Sequence, residues 1–412
     1  MLANFWFVLV AILWTGFFVL EGFDFGVAAL LGVLGRAGRT ADPAHVPEQT
    51  ASEAVERDRR AVLGAIGPVW DGNEVWLLTA GGAMFAAFPE WYASLFSGFY
   101  LALFLVLALL IVRGIALEYR GKAATAAGRA WCDRGIVLGG ALAPLLFGVA
   151  FANIVRGVKM TSDHEVTSSL LDLLNPYGLL GGVTVLLLCL LHGAVFLALK
   201  TSGRVRGRAR AAGDALFAPA AAALLAFLVW TVVLRGGAAV DAIAAVVVVA
   251  LLAALAAHRA ERDGWAFAAT AGTLAGLVAT WFVAIAPEVL PRLGGGPGLT
   301  IHEAASSPYT LKVMTVVALI ATPVVLAYQA WSYWVFRRRL YGADGPAALT
   351  ATGGPRGGHP GAGVTAGRAG STAVPPAPTA DAAPAVDQPA LAAPAQLADP
   401  AAPVQRKPGP TS

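Results

Sequence analysis

Charge is scarce in this sequence. Asp, Glu, Lys and Arg make up 13% of its 412 residues, about half the share usual in soluble domains. Hydrophobic residues make up 57% and mean hydropathy is +0.68. Together these values exclude an ordinary soluble domain and identify a polytopic membrane protein. Cysteine is almost missing. Cys132 and Cys189 lie within or beside apolar stretches, with neither disulfide-framework nor metal-ligand spacing, and read as small buried hydrophobes. The net charge of +4 carries no nucleic-acid signal, because the basic residues sit between apolar stretches rather than in one patch. The start, MLANFWFVLVAILW, lacks the positive n-region and small-residue cleavage site of a signal peptide, so it is expected to be the first span, uncleaved.

Apolar windows long enough to cross about 30 Å of hydrocarbon fall at Asn4–Leu34, Ala61–Phe88, Trp91–Leu117, Trp131–Val155, Pro176–Leu199, Asp214–Leu234, Ala239–Ala257, Trp265–Ile285 and Tyr309–Phe336. These predict an all-α protein of nine transmembrane helices. Alternate connections carry the arginines: Arg36, Arg39, Arg57, Arg59 and Arg60 after the first span, Arg120, Lys122 and Arg129 after the third. Lys200 and Arg204 to Arg210 follow the fifth, Arg259 and Arg262 the seventh, and Arg337 to Arg339 the ninth. The positive-inside rule then puts the N-terminus outside and the C-terminus in the cytoplasm. From about Gly342 the chain turns to Ala, Pro, Gly and Thr and cannot bury enough apolar surface to order itself. The expected division is a membrane domain, 1–340, and a disordered cytoplasmic tail, 341–412.

Four acids lie inside these spans. Glu21 and Asp24 in the first, and Asp71 and Glu74 in the second, are each spaced to share one helix face. Asp24 stands twelve residues before Arg36 and Asp71 eleven after Arg60, which puts both pairs roughly 16–22 Å in from the basic connections. All four acids are therefore expected at one level of two neighbouring antiparallel helices. Pro68 has no N–H and leaves the Gly64 carbonyl free one turn before Asp71, which predicts a hydrated dent there. Ionisable groups inside a membrane are expensive and normally serve an ion path, and closely set carboxyls in low dielectric suit proton carriers. The competing reading is that they cap backbone groups or pair with Arg or Asn for packing alone. Arg113, toward the basic end of the third span, either snorkels or pairs with one of them. Trp70 and Trp76 flank the acidic motif, and Gly72 and Asn73 read as packing and hydrogen-bonding residues.

Of six histidines, His45, His164, His302 and His359 fall in connections or the tail and His258 at a helix end; only His192 lies well within a span. A haem needs an axial ligand, often one of a pair, so the chain is not expected to hold its own redox cofactor. His192 reads as an interhelical hydrogen bond. Trp6, Trp14, Trp91, Tyr92, Trp265, Tyr309, Trp331 and Trp334 are expected as interfacial anchors.

The stretches EGFDFGVA (21–28), GPVWDGNEVWLLTAGGAMFAAFPEWYASLFSGFY (67–100), NPYGLLGG (175–182), TLKVMT (310–315) and AYQAWSYW (327–334) resemble subunit II of the cytochrome bd-type quinol oxidases. The resemblance spans about residues 4–337, and the long WDGNEVW segment is its specific part. It implies nine helices in two four-helix bundles plus one peripheral helix, bound as an obligate heterodimer to a similarly built subunit I. Subunit I would hold haem b, haem d and the quinol-binding loop, with small accessory subunits possible. The complex would oxidise quinol, reduce dioxygen to water and draw protons from the cytoplasm without pumping. Subunit II would support assembly, and Glu21, Asp24 and Asp71 would stand on or near a proton route together with Glu74, with Trp70, Asn73 and Arg113 in support. No metal ligand and no catalytic residue is expected in this chain, while a structural quinone or lipid is allowed. Arginine outnumbers lysine 24 to 5, a composition that reads as bacterial, so the bacterial cytoplasmic membrane is the expected location and menaquinol the expected quinol. The tail lies outside the family pattern, and some relatives carry Asp at the position of Glu21. The rival reading is a proton-coupled transporter, which would need a midplane site between inverted repeats, and no such repeat is evident.

Overall fold

The computed structural model describes residues 1–35 and 48–343. The expected tail lies outside the described residues from position 344 on, as do Arg36, Arg39 and His45. Long helices dominate: α1 (Leu2–Leu34), α2 (Glu48–Ile66), α3 (Trp70–Ala87), α4 (Pro89–Gly98), α5 (Tyr100–Arg120) and α6 (Ala126–Arg156) come first. After one turn of helix, α7 (Leu170–Leu173), come α8 (Pro176–Lys200), α9 (Gly203–Arg235), α10 (Ala238–Arg259), α11 (Asp263–Ile285), the short α12 (Ile301–Ala304) and α13 (Pro308–Val335). Among the described residues eight helices are long and apolar enough to cross a membrane. The shorter α3, which carries Asp71 and Glu74, stands in the remaining predicted window.

The window Ala61–Phe88 is not one continuous helix. Pro68 cannot donate to Gly64, and the chain answers with a tight turn in which Val69 N–H donates to the Ile66 carbonyl. Helix resumes with Asn73 N–H on the Val69 carbonyl. The window Trp91–Leu117 is likewise bent at Phe99, between α4 and α5.

One bundle is built from α1, α3, α5 and α6, and the other from α8, α9, α10 and α11; α1 and α6 pack against α8 to join them. The peripheral α13 touches the body chiefly through α1 and α3. Glycine sets the closest crossing. A Cβ on Gly26 of α1 would collide with the Cys189 carbonyl, and one on Gly193 of α8 with the Gly26 backbone. Small residues at such contacts let transmembrane helices approach backbone to backbone. Trp6, Trp14 and Trp91, expected as interfacial anchors, are instead buried in the aromatic core of the first bundle, where Trp14 meets Phe147 and Phe151 edge-on. Trp265, Tyr309, Trp331 and Trp334 are exposed, as anchors are.

The arginine-bearing connections gather at one end. Arg120 bonds both Glu56 oxygens (2.9 and 3.0 Å) and Asp133 (2.5 Å), which Arg59 also reaches at 3.0 Å. The buried Asp58 takes Arg208 at 2.5 Å, and the buried Asp263 takes Arg206, Arg210 and Arg339. A strand β1 (Thr201–Ser202) pairs in parallel with β4 (Leu340–Tyr341), which leads the chain after α13 back across this end. At the other end, a short hairpin of β2 (Glu288–Leu290) and β3 (Leu299–Thr300) lies beside the α6–α8 connection, which it meets at Val158 and Arg292.

Glu56 gives this end a pH dependence. Partial burial pushes its carboxyl up, but the hydrogen bonds and charges of Arg120 and then Arg60 outweigh that and hold it below the ordinary range. A depressed acid contributes stability above its unfolded value, and the contribution disappears as pH falls through the folded one. Glu56→Gln should therefore melt below the parent protein near neutral pH and converge with it below about pH 4. Melting curves of the purified protein check this, and a constant gap across the range would contradict it.

Candidate functional site

Glu21 and Asp24 face the centre of the first bundle from α1, with no exposed surface on either. Opposite them α3 begins at the Pro68 break. Within α3, Asn73 is fully buried, Glu74 is partly covered, and Asp71 in the first turn is exposed. The four acids expected inside the spans therefore do not share one environment: Glu21, Asp24 and Glu74 are fully or partly covered, while Asp71, the second residue of α3, faces outward.

Arg113 of α5 ties two of them, Glu21 and Glu74, together. Its side chain has no exposed surface; it donates from one nitrogen to both Glu21 and Glu74, the latter at 2.7 Å. The guanidinium lies over the Phe25 ring, 4.6 Å from the centroid. Its stem passes where Gly139 of α6 has no side chain, since a Cβ there would strike Arg113 and the Leu109 carbonyl. Of the two roles sequence left open for Arg113, the structure shows pairing, with two acids rather than one.

Asp24 has a different partner. Its Oδ2 accepts from Asn73 Nδ2 at 2.6 Å, and that amide group also donates to the Leu20 carbonyl at 3.3 Å. Asn73 Oδ1 in turn accepts from Gln329 Nε2 at 3.0 Å and from the Tyr333 hydroxyl at 2.9 Å, both on α13. Sequence reasoning missed Gln329 and Tyr333. Their spacing of four places them on one helix face, but the stretch is so rich in aromatics that it read as an interfacial belt. Trp70 is buried with its ring against Gly114, and Trp76 fills the place of a side chain at Gly16.

Four atoms here are buried and have no hydrogen-bond partner among the described residues: Glu21 Oε2, Asp24 Oδ1, and Nε and Nη1 of Arg113. Buried polar atoms are rarely left so and are commonly satisfied by ordered water. Three carboxyl groups around one guanidinium, with oxygens still open, form an arrangement suited to taking and releasing protons. Nearby, His192 of α8 is fully engaged: Nε2 donates to the Val19 carbonyl at 3.2 Å and Nδ1 meets the Thr270 hydroxyl at 2.7 Å. Its ring stacks on Phe267, 4.6 Å between centroids. The interhelical hydrogen bond expected of it is present. Farther from the arginine-rich end, an apolar cavity of about 520 Å³ opens between α3, α4 and α5, with Trp14, Trp91, Phe147 and Phe151 at its walls.

Comparison with known proteins gives the family of the chain. Residues 2–336 match the family described as cytochrome bd terminal oxidase subunit II. The chain belongs to that family. It is 38% identical over 345 residues to the cytochrome bd ubiquinol oxidase subunit 2 of Bacillus subtilis, covering 82% of this chain and 97% of the relative. It is 35% identical over 378 residues to the cytochrome bd-I ubiquinol oxidase subunit 2 of Escherichia coli, covering 82% of this chain and 95% of that one. Its fold matches a chain of the bd oxidase structure from Geobacillus thermodenitrificans with a TM-score of 0.64 at 16% identity, covering 81% of this chain and 98% of that one. This chain is thus an integral membrane subunit of an oxidoreductase family, and the family's nomenclature implies a subunit I partner.

The Arg113 cluster should dominate the stability of this subunit II. Arg113→Leu leaves Glu21 buried without its cation, and breaking a buried pair in this way costs about 3–5 kcal/mol. Adding Glu21→Gln to that variant should recover a large part of the loss. Melting of the detergent-purified complex measures both, and equal melting of the single and double variants would show that the pair is not what stabilises the bundle.

Proposed function

We propose that this chain serves as subunit II of a quinol:dioxygen oxidoreductase and carries protons from the cytoplasm toward a dioxygen-reducing haem site in subunit I. The observation that carries this reading is the pairing of Glu21 and Glu74 with one buried Arg113, with the buried Asp24 one turn along α1 from Glu21, inside a transmembrane bundle of the bd oxidase family. The concentration of Arg in alternate connections supports a cytoplasmic position for the arginine-rich end and the C-terminus, with the N-terminus outside.

The order of residues along the helices gives the route a direction. Asp24 and Asp71 stand nearer the arginine-rich end than Glu21 and Glu74 do, by one turn of their own helices. Asp71, exposed at the Pro68 break, takes protons from the cytoplasmic side; the buried acids relay them through the oxygens that Arg113 and Asn73 leave open. An ionisable group facing lipid is costly, so the face of α3 that bears Asp71, Val75, Leu78, Gly82 and Phe85 is read as the seat of subunit I, beside the exposed α13.

The haems, of types b and d, belong to subunit I in this reading, where they supply electron transfer from quinol, menaquinol in this bacterium, and reduction of dioxygen to water. Both ring nitrogens of His192 are held by Thr270 and Val19, which does not fit an axial ligand. The apolar cavity beside Trp14 suits the isoprenoid tail of a structural quinone or a lipid chain. The largely exposed apolar helix α10 is where small accessory subunits would pack in this reading.

Asp24→Asn and Asp71→Asn, each introduced into the whole oxidase, test the proton role. Both complexes should assemble with unchanged haem spectra, and oxygen uptake with quinol should fall roughly tenfold or more. Normal uptake rates would remove the acids from the route, while loss of haem and subunit I would reduce them to packing residues.

A further inference from the structure

The peripheral helix α13 is an unexpected source of contacts for the buried acids. Only 6% of its apolar stretch is buried, yet two of its side chains reach the centre of the site. We infer that Gln329 and Tyr333 are positioning residues, which fix the orientation of the Asn73 amide and through it decide whether Asp24 is held as a carboxylate or as an acid. This rests on the proton-carrying role proposed above for Asp24.

An asparagine amide has one accepting and one donating end, and a half-turn of the group exchanges them. In this structure the oxygen end receives two donors, Gln329 Nε2 and the Tyr333 hydroxyl. That leaves the NH2 end facing α1, where it donates to Asp24 Oδ2 at 2.6 Å and to the Leu20 carbonyl. A donor aimed at a carboxyl oxygen favours the ionised form, whereas a carbonyl aimed at it would favour the protonated form by accepting its O–H. With both α13 side chains present, a turn of the amide would bring its NH2 against the Gln329 NH2 and lose that hydrogen bond, and the Tyr333 hydroxyl would have to change from donor to acceptor. The two α13 side chains thereby hold Asp24 as an acceptor, with Oδ1 still open to receive the proton in transit.

The anchoring of α13 fits this role. At one end Trp6 Nε1 donates to the Thr315 hydroxyl at 3.0 Å and to the Leu311 carbonyl. At the other, Lys200 Nζ donates to the carbonyls of Phe336 and Arg338, Arg339 pairs with Asp263, and β4 lies along β1. Ala343 N–H closes the strap on the buried Asp58 at 2.9 Å. A helix with so little core contact is therefore held in register at both ends, which fixes Gln329 and Tyr333 against Asn73. The charged and titratable groups around Asp24 come from every neighbour: Glu21 on α1, Glu74 on α3, Arg113 on α5 and Tyr333 on α13, with Cys189 and His192 on α8 farther back. Among these, Tyr333 alone acts on Asp24 through the amide.

The test uses the whole oxidase in native membranes. Tyr333→Phe removes one donor without changing shape, and Tyr333→Phe with Gln329→Leu removes both. The pH profile of oxygen uptake should move to higher pH, by about half a unit to one unit in the double variant and less in the single. Haem content measured in parallel reports assembly. A merely structural role would lower the amount of assembled complex and leave the profile of what assembles in place; that result, or an unmoved profile with full assembly, overturns the inference. If the double variant fails to assemble, the single variant decides by the same criterion. Asp24→Asn separates the two readings: normal uptake in that variant removes the proton role itself, whereas slow uptake there with an unmoved profile in the α13 variants removes only the positioning role.

Discussion

A guanidinium with no exposed surface lies among three carboxyl groups, and much of the first bundle is arranged to keep it paired. Arg113 reaches Glu21 and Glu74 only because Gly139 leaves room for its stem and because α3 restarts at Trp70 with Glu74 turned inward. The Phe25 ring covers one face of its guanidinium. A charge buried in this way is costly alone and tolerable in company, so the helices α1, α3, α5 and α6 are tied to one relative position. The same arrangement leaves one oxygen each of Glu21 and Asp24 without a partner among the described residues.

Pro68 is the second constraint. It interrupts the window that begins at Ala61, and the WDGNEVW segment opens the helix that follows, α3. Asn73 and Glu74 join the buried cluster, and Asp71 stays at the surface where the subunit I face is proposed. The break sets Asp71, in the first turn of α3, beside the point where Pro68 leaves a backbone carbonyl without its helical partner.

The sequence made the larger features legible. Apolar windows located the membrane helices, because crossing hydrocarbon demands long runs that few other structures contain. The alternation of arginine located the connections that the structure gathers at one end around Asp58, Asp133 and Asp263. Glu21, Asp24 and Glu74 stood out because acids are expensive in such runs. What escaped was what depends on rotation and distance in space. Counting along the helix could not show that Asp71 is exposed while Asn73, two residues on, is buried. Gln329 and Tyr333 lie more than 250 positions from Asn73, and their neighbours Trp331 and Trp334 carry an interfacial signal strong enough to mask them. Trp6, Trp14 and Trp91 looked like anchors by position along the chain, and proved to be core because the first bundle is wide enough to enclose them.

The central claim is that protons for dioxygen reduction cross this subunit from the arginine-rich end through the Glu21–Asp24–Glu74 cluster. It is tested most directly by reconstituting the whole oxidase in vesicles with a pH-sensitive dye on one side. Proton uptake is then followed during a single turnover in the parent complex and in one carrying Glu21→Gln. Uptake should come from the side that bears the arginine-rich connections, and should slow in the variant together with haem oxidation. Uptake from the opposite side, or uptake of unchanged rate in a fully assembled variant, would contradict it.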